Sequence, residues 1–305
     1  MVTPQQFFAS RFIRFSYWKM DRKRDAGQTT PSDIIRYDDI QYGNDRRFIK
    51  WQLLDVYRPK AAVNPDNTLK KLPLIISVHG GSFIYGDKTK YQFYCMRLAQ
   101  RGFAVINFSY RLAPEVPYFS SIRDVETVFQ WAADNSEQYG FDTENLFTVA
   151  DSAGGHLLAT YLNAITDKTF GDTLGFIKDK GVKVKAAALN CGKYQLEEND
   201  GKIKLLRKSL MPGASEKDAK AFLNVYSHIT KAFPPVFVMT CKGDFLKEDS
   251  EKIKVKFDEI GVKNEFHCYG TEEKPLWHVF HCDPKLEEAV TCNDEECNFF
   301  RSFIK

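Results

Sequence analysis

The sequence predicts an α/β fold built on a mainly parallel sheet flanked by helices. Strand and helix signals alternate along most of the chain, the order that lays strands side by side in one direction. Several strand signals are short, nearly unbroken apolar runs, as in strands buried on both faces. The 305 residues suit one such domain with a small insertion and a substantial core.

Thr3-Pro4-Gln5-Gln6 reads as a helix start, with Thr as N-cap, Pro at the first turn and Gln at the capping-box position. Phe8, Phe12 and Phe15 follow at helical spacing. That apolar face is expected to dock on its own domain, because Arg11 and Arg14 alone make a poor basic face for a membrane surface. Charged residues then cluster, and the chain to about Ser32 reads as a loop. Phe48–Val56 reads as a strand ending at Tyr57-Arg58-Pro59, and Asn64-Pro65-Asp66-Asn67 marks a turn. Leu72–Val78 and Phe103–Phe108 read as buried strands around a helix at Tyr91–Arg101. A helix at Ile122–Tyr139 precedes a strand at Leu146–Ala150 and a helix at Gly154–Ile165. Val182–Leu189, Pro235–Thr240 and Asn264–Tyr269 complete the strands, with helices at Glu248–Ile260, closed by Gly261, and near Leu286–Ile304. Residues 195–231 break the rhythm: polar, Lys-rich, with Pro212-Gly213 in the middle, they read as a small helical lid over the sheet. The whole chain, 1–305, is one domain, and residues 1–35 are a candidate second part of the cap.

Composition narrows the function. Against 43 basic residues stand 40 acidic ones, without a long single-sign run, so nucleic acid is not an expected partner. The seven cysteines are odd in number, scattered and without a C-x-x-C pair, which predicts free thiols in a reducing compartment and no zinc or other metal site. The N-terminus lacks the continuous apolar core of a signal peptide, and no stretch approaches the length of a membrane span. A cytoplasmic protein without stable membrane insertion is the expectation. Self-association stays open.

The strongest local signal is Val149-Ala150-Asp151-Ser152-Ala153-Gly154-Gly155-His156 between a predicted strand and a predicted helix. That is the setting of a nucleophile elbow, a strained turn that lifts a Ser hydroxyl above the sheet edge. Ala150 stands where the usual pattern has Gly, adding one methyl. His79-Gly80-Gly81-Ser82-Phe83 follows another buried strand, and glycines there let backbone N–H groups approach a developing oxyanion. The expected donors are the N–H groups of Gly80, Gly81 and Ala153. An acid and a histidine should follow in that order. Asp244 sits just past the strand Pro235–Thr240, at the sheet edge where sites gather. Glu248 and Asp249 are rivals by type but fall inside the next helix. His278 and His281 are both candidates for the base.

Taken together, HGGSF (79–83), YRLAPE (110–115) with Asp124-Val125, ADSAGGH (150–156), GDFL (243–246) and HVF (278–280) resemble the hormone-sensitive-lipase-like esterases of the α/β-hydrolase fold. LDVYRP (54–59) resembles that family's opening strand. The resemblance implies Ser152 as nucleophile, Asp244 as acid and His278, followed two residues later by an aromatic, as base. It implies no cofactor and a small-molecule ester as substrate. YRLAPE is implied to brace the loop beneath the oxyanion turn, and Ser82 departs from a common third Gly. The expected reaction is hydrolysis of short-chain acyl esters, acetyl among them, through an acyl-enzyme. The alternatives are an amidase, formamidase or peptidase on the same triad, and a non-catalytic ligand receptor on a hydrolase fold.

Overall fold

The computed structural model describes residues 4–175, 182–196, 210–211 and 222–304. Its strands are β1 (Ile34–Gln41), β2 (Leu53–Pro59), β3 (Leu72–Val78), β4 (Ala104–Phe108), β5 (Phe141–Asp151), β6 (Val184–Asn190), β7 (Val236–Cys241) and β8 (Asn264–Tyr269). They form one eight-stranded sheet in the order β1-β2-β4-β3-β5-β6-β7-β8. β1 and β2 pair antiparallel, as do β2 and β4, and every later pair is parallel. The helices are α1 (Pro4–Asp25), α2 (Lys88–Gln100), α3 (Tyr118–Asp134), α4 (Ser136–Tyr139), α5 (Ser152–Thr166), α6 (Lys168–Leu174), α7 (Lys247–Ile260) and α8 (Glu287–Arg301).

The period-two alternation of a strand splits the core into two layers. Leu74, Ile76 and Val78 of β3 pack with Ile122 and Val125 of α3 and with Leu157 and Leu158 of α5. Ile75, between them in sequence, packs on the other face with Cys95 and Leu98 of α2 and Phe300 of α8. This is the α/β-hydrolase architecture. None of the described helices is long and apolar enough to cross a membrane.

Most predicted strands and helices lie within a few residues of where the sequence places them. The exceptions have physical causes. β1 escapes prediction because it is an edge strand: only Ile34 is buried, and Asp38 and Asp39 interrupt its alternation. The strand expected from Phe48 starts at Leu53 instead, because Ile49–Trp51 closes a 3-10 turn. α1 runs to Asp25, past the expected loop, where Arg24 pairs with Asp21 one turn back and with Asp25 beside it. The stripe expected to dock does not: Phe12 is 72% and Phe15 53% exposed, while Ile13 packs on the core. Thr3, Pro212-Gly213 and most of the predicted lid lie outside the described residues. Within that segment, Gln195 bridges Asn224 and Leu196, Leu210 and Leu223 are buried in the core.

Candidate active site

Ser152 is the first residue of α5, directly after β5, and has φ of +50°. A non-glycine residue in the left-handed region marks a strained turn held by its surroundings. The packing beneath it shows what holds it. A Cβ on Gly154 would run into the carbonyl oxygens of Val78 and His79, so α5 starts against the end of β3 only because residue 154 has no side chain. Ala150, the departure from the usual glycine, is accommodated: its methyl is buried in the core layer facing α3 and α5.

The turn after β3 is equally constrained. Gly81, Ser82 and Phe83 all have positive φ, at +119°, +54° and +63°. A Cβ on Gly81 would strike the Tyr85 carbonyl. Behind the turn, the Tyr110 hydroxyl donates to His79 O at 2.7 Å and its ring stacks on the His79 ring at 4.0 Å, while Ala113 N–H donates to Phe83 O at 3.0 Å. YRLAPE therefore does brace this loop. The Gly80 N–H is already engaged, 3.1 Å from the Tyr91 hydroxyl and 3.2 Å from Asp151 Oδ1. Those contacts differ from the oxyanion-donor role expected of Gly80. Its N–H ties the turn to the elbow instead.

Asp151 is the counterpart of that tie. It is fully buried, accepts from Gly80 N–H and, at 2.8 Å, from the Tyr91 hydroxyl. Burial pushes its carboxyl up to about 6, although those hydrogen bonds and the nearby His278 pull the other way. The sequence contains Asp151 inside the elbow motif but gives no sign of this role, and nothing in it singles out Tyr91.

Asp244 and His278 arrive from separate loops. Asp244 follows β7, and His278 lies between β8 and α8. A parallel bridge from Gly243 to Trp277 joins the two loops, and the Cys241 thiol reaches Leu276 O at 3.3 Å and Trp277 O at 3.2 Å. His278 Nδ1 stands 2.7 Å from Asp244 Oδ1, which also accepts from Leu246 N–H at 2.9 Å, and Thr240 Oγ1 donates to Asp244 Oδ2 at 2.9 Å. Burial would push the Asp244 carboxyl up, but His278 and the Leu246 N–H outweigh it and hold the group below the usual carboxylate range. Cys191 joins Asp244 and His278 in the one cluster of metal-ligand types among the described residues, donor atoms within 4.8 Å of one another. Two of its three members already satisfy each other. His281 is a different kind of residue. It is buried edge-to-face against Tyr94 at 5.0 Å, and burial, with the nearby His278 and Arg24, drives its imidazole down to about 3. Glu248 and Asp249 fall in the first turn of α7, and Asp249 pairs with Lys193 at 3.3 Å.

Ser152, His278, Gly81 and Ser82 line one cavity of about 340 Å³. Tyr17, Met20, Asp21 and Arg24 of α1 form a wall that the motifs do not announce, and Phe245 and Trp277 stand at the rim. α1 is fastened to the turn after β3 by Tyr17 to Ser82 Oγ at 3.1 Å and by the Tyr85 hydroxyl donating to Asp21 at 2.6 Å. Ser152 Oγ makes no hydrogen bond to His278 here. Such contacts often tighten only once substrate is bound.

Known proteins share this fold. Esterase B of Lactobacillus rhamnosis, solved in a C6-C4 SN3 inhibited form, superposes with a TM-score of 0.88 over 98% of this chain and 96% of that one. At 23% identity this shows the fold alone. The versiconal hemiacetal acetate esterase of Dothistroma septosporum is 28% identical over 228 residues, 68% of this chain and 67% of that protein. Esterase LipC of Mycobacterium tuberculosis is 35% identical, but over 121 residues that span 39% of this chain and only 28% of the relative's length. The profile of the BD-FAE family matches residues 54–254, well over half of the 305 residues, and the chain is a member of that family of α/β-fold hydrolases.

Proposed function

We propose that this protein is a carboxylic-ester hydrolase that forms an acyl-enzyme on Ser152 and acts on short-chain acyl esters. One observation carries the reading: His278, 2.7 Å from the buried Asp244, lines the same cavity as a serine held at a strained strand–helix turn. In this reaction the neutral His278 Nε2 takes the Ser152 proton as Oγ attacks the ester carbonyl. Asp244, bonded to Nδ1–H, fixes the tautomer and stabilises the imidazolium. The imidazolium then protonates the leaving alcohol, and water activated by the same ring releases the acid.

The carbonyl oxygen needs backbone donors as it gains charge. Gly81 and Ala153 keep the role expected of them. The Ser82 N–H takes the place of the Gly80 N–H in this reading, since Ser82 lines the cavity while the Gly80 N–H is engaged with Tyr91 and Asp151. α1, which walls the cavity with Tyr17, Met20, Asp21 and Arg24, acts as part of the cap. The short-chain preference is supported by the cavity, whose 340 Å³ is near the lower end of the roughly 300–1,000 Å³ of ligand pockets, and by the acetate named in one relative.

The test is turnover of p-nitrophenyl esters from acetyl to dodecanoyl, alongside matched anilides, by the wild type and Ser152→Ala. Highest kcat/KM at the short end, weak anilide cleavage and loss of turnover in Ser152→Ala are expected. Retained turnover in Ser152→Ala overturns the mechanism, and a dodecanoyl optimum overturns the substrate class.

A further inference from the structure

We propose that the outer face of α1 docks the protein on an anionic lipid surface, at the mouth of the catalytic cavity. The inner side of α1 is committed to the domain: Arg14 Nε donates to Ile84 O at 2.6 Å and its guanidinium pairs with Glu115, Tyr17 meets Ser82, and Asp21 meets Tyr85. At 100° per residue, the opposite side takes Phe12, Phe15, Lys19, Arg22 and Lys23, all exposed. Single exposed apolar residues need no explanation. Here Phe12, Phe15, Trp18 and Met20 are 72%, 53%, 40% and 64% exposed within one short stretch.

Charge selects the occupant. No acid shares this face, because Asp21 turns to Tyr85 and Asp25 pairs with Arg24. The cations sit among the rings, Lys19 Nζ 4.8 Å from the centre of Phe15 and the Arg22 guanidinium 5.3 Å from the centre of Trp18. Aromatic side chains interleaved with Lys and Arg are what an interfacial helix presents to acidic headgroups. The surface also continues past the helix on both flanks. Met20 leads to the cavity rim, where Phe245 is 73% and Trp277 52% exposed. Phe15 and Trp18 lead to a groove of about 690 Å³ whose other walls carry Lys50 and Trp51, with Asp39 and Asp87 there paired to Lys88 and Lys90. A bilayer seated on α1 would therefore meet the entrance used by substrate.

The experiment is sedimentation of the full chain with vesicles of phosphatidylcholine alone and of phosphatidylcholine mixed with phosphatidylglycerol. Binding to the mixed vesicles, weakening with salt, is expected. Each basic residue near an acidic surface contributes about fivefold in partitioning, so Lys19→Glu/Lys23→Glu should lose at least about tenfold. Phe12→Ser/Phe15→Ser should lose a comparable amount through the apolar half of the face. Thermal unfolding by circular dichroism checks that each variant is folded. No preference for the mixed vesicles, or wild-type binding by either folded variant, overturns the proposal.

Discussion

Asp244 accepts three hydrogen bonds, from Thr240, Leu246 and His278, so an amide in its place still fits but no longer fixes the imidazole. Asp244→Asn should lower kcat on an acetyl ester by about 10³–10⁴-fold, with an unchanged circular dichroism spectrum. Asp151 acts one step removed, through the Gly80 N–H and the Tyr91 hydroxyl. Removing its carboxylate frees the turn that carries Gly81 and Ser82. Asp151→Ala should reduce kcat by about 10–10²-fold, less than or equal to the loss of one oxyanion donor, with KM nearly constant. A change confined to KM would show that Asp151 shapes the substrate pocket instead.

Among the elements, the junction of β5 and α5 is the least forgiving. The methyl of Gly154→Ala has no room between the helix and the Val78 and His79 carbonyls, so stability should fall by about 2 kcal/mol or more, read as the urea midpoint. This junction is also the most legible in the sequence, because the same glycines that allow close packing spell the motif. Buried parallel strands such as β3 and β4 are legible for a similar reason, since both faces demand apolar residues. β1 is not: one side of an edge strand is wet, and its two aspartates look like loop. The Phe8–Phe12–Phe15 spacing does mark a helix, but periodicity reports that a stripe exists and not which stripe the domain covers. In α1 the docking side is the polar one, with Tyr17, Asp21 and Arg24 finding partners in other elements. Those partners are long-range pairings that no local pattern contains.

At the scale of the whole molecule, the motifs place Asp244 and His278 in one order along the chain and the fold brings them together across a gap of 34 residues, while the choice against His281 becomes physical only in three dimensions. His281 also links folding to pH. Its folded pKa of about 3 lies below the ordinary unfolded value of about 6.5. Between those values the unfolded chain binds a proton that the folded chain refuses, so His281 makes stability fall as pH drops below about 6.5. Replacing it with an apolar ring should remove that share. His281→Phe should keep esterase turnover and flatten the pH dependence of the urea unfolding free energy between pH 6 and 4 by up to about 1.4 kcal/mol per pH unit. An unchanged slope would mean the buried imidazole is already protonated in the folded state.

The most direct test of the central claim is labelling by a fluorophosphonate, followed by intact mass and peptide mapping. A phosphonate ester forms a stable adduct only on a serine that a neighbouring base activates. One adduct per chain, on the peptide containing Ser152, with labelling slowed strongly in His278→Ala and unaffected in His281→Phe, is the predicted result. Labelling at another residue, or none on a folded protein, would contradict the account.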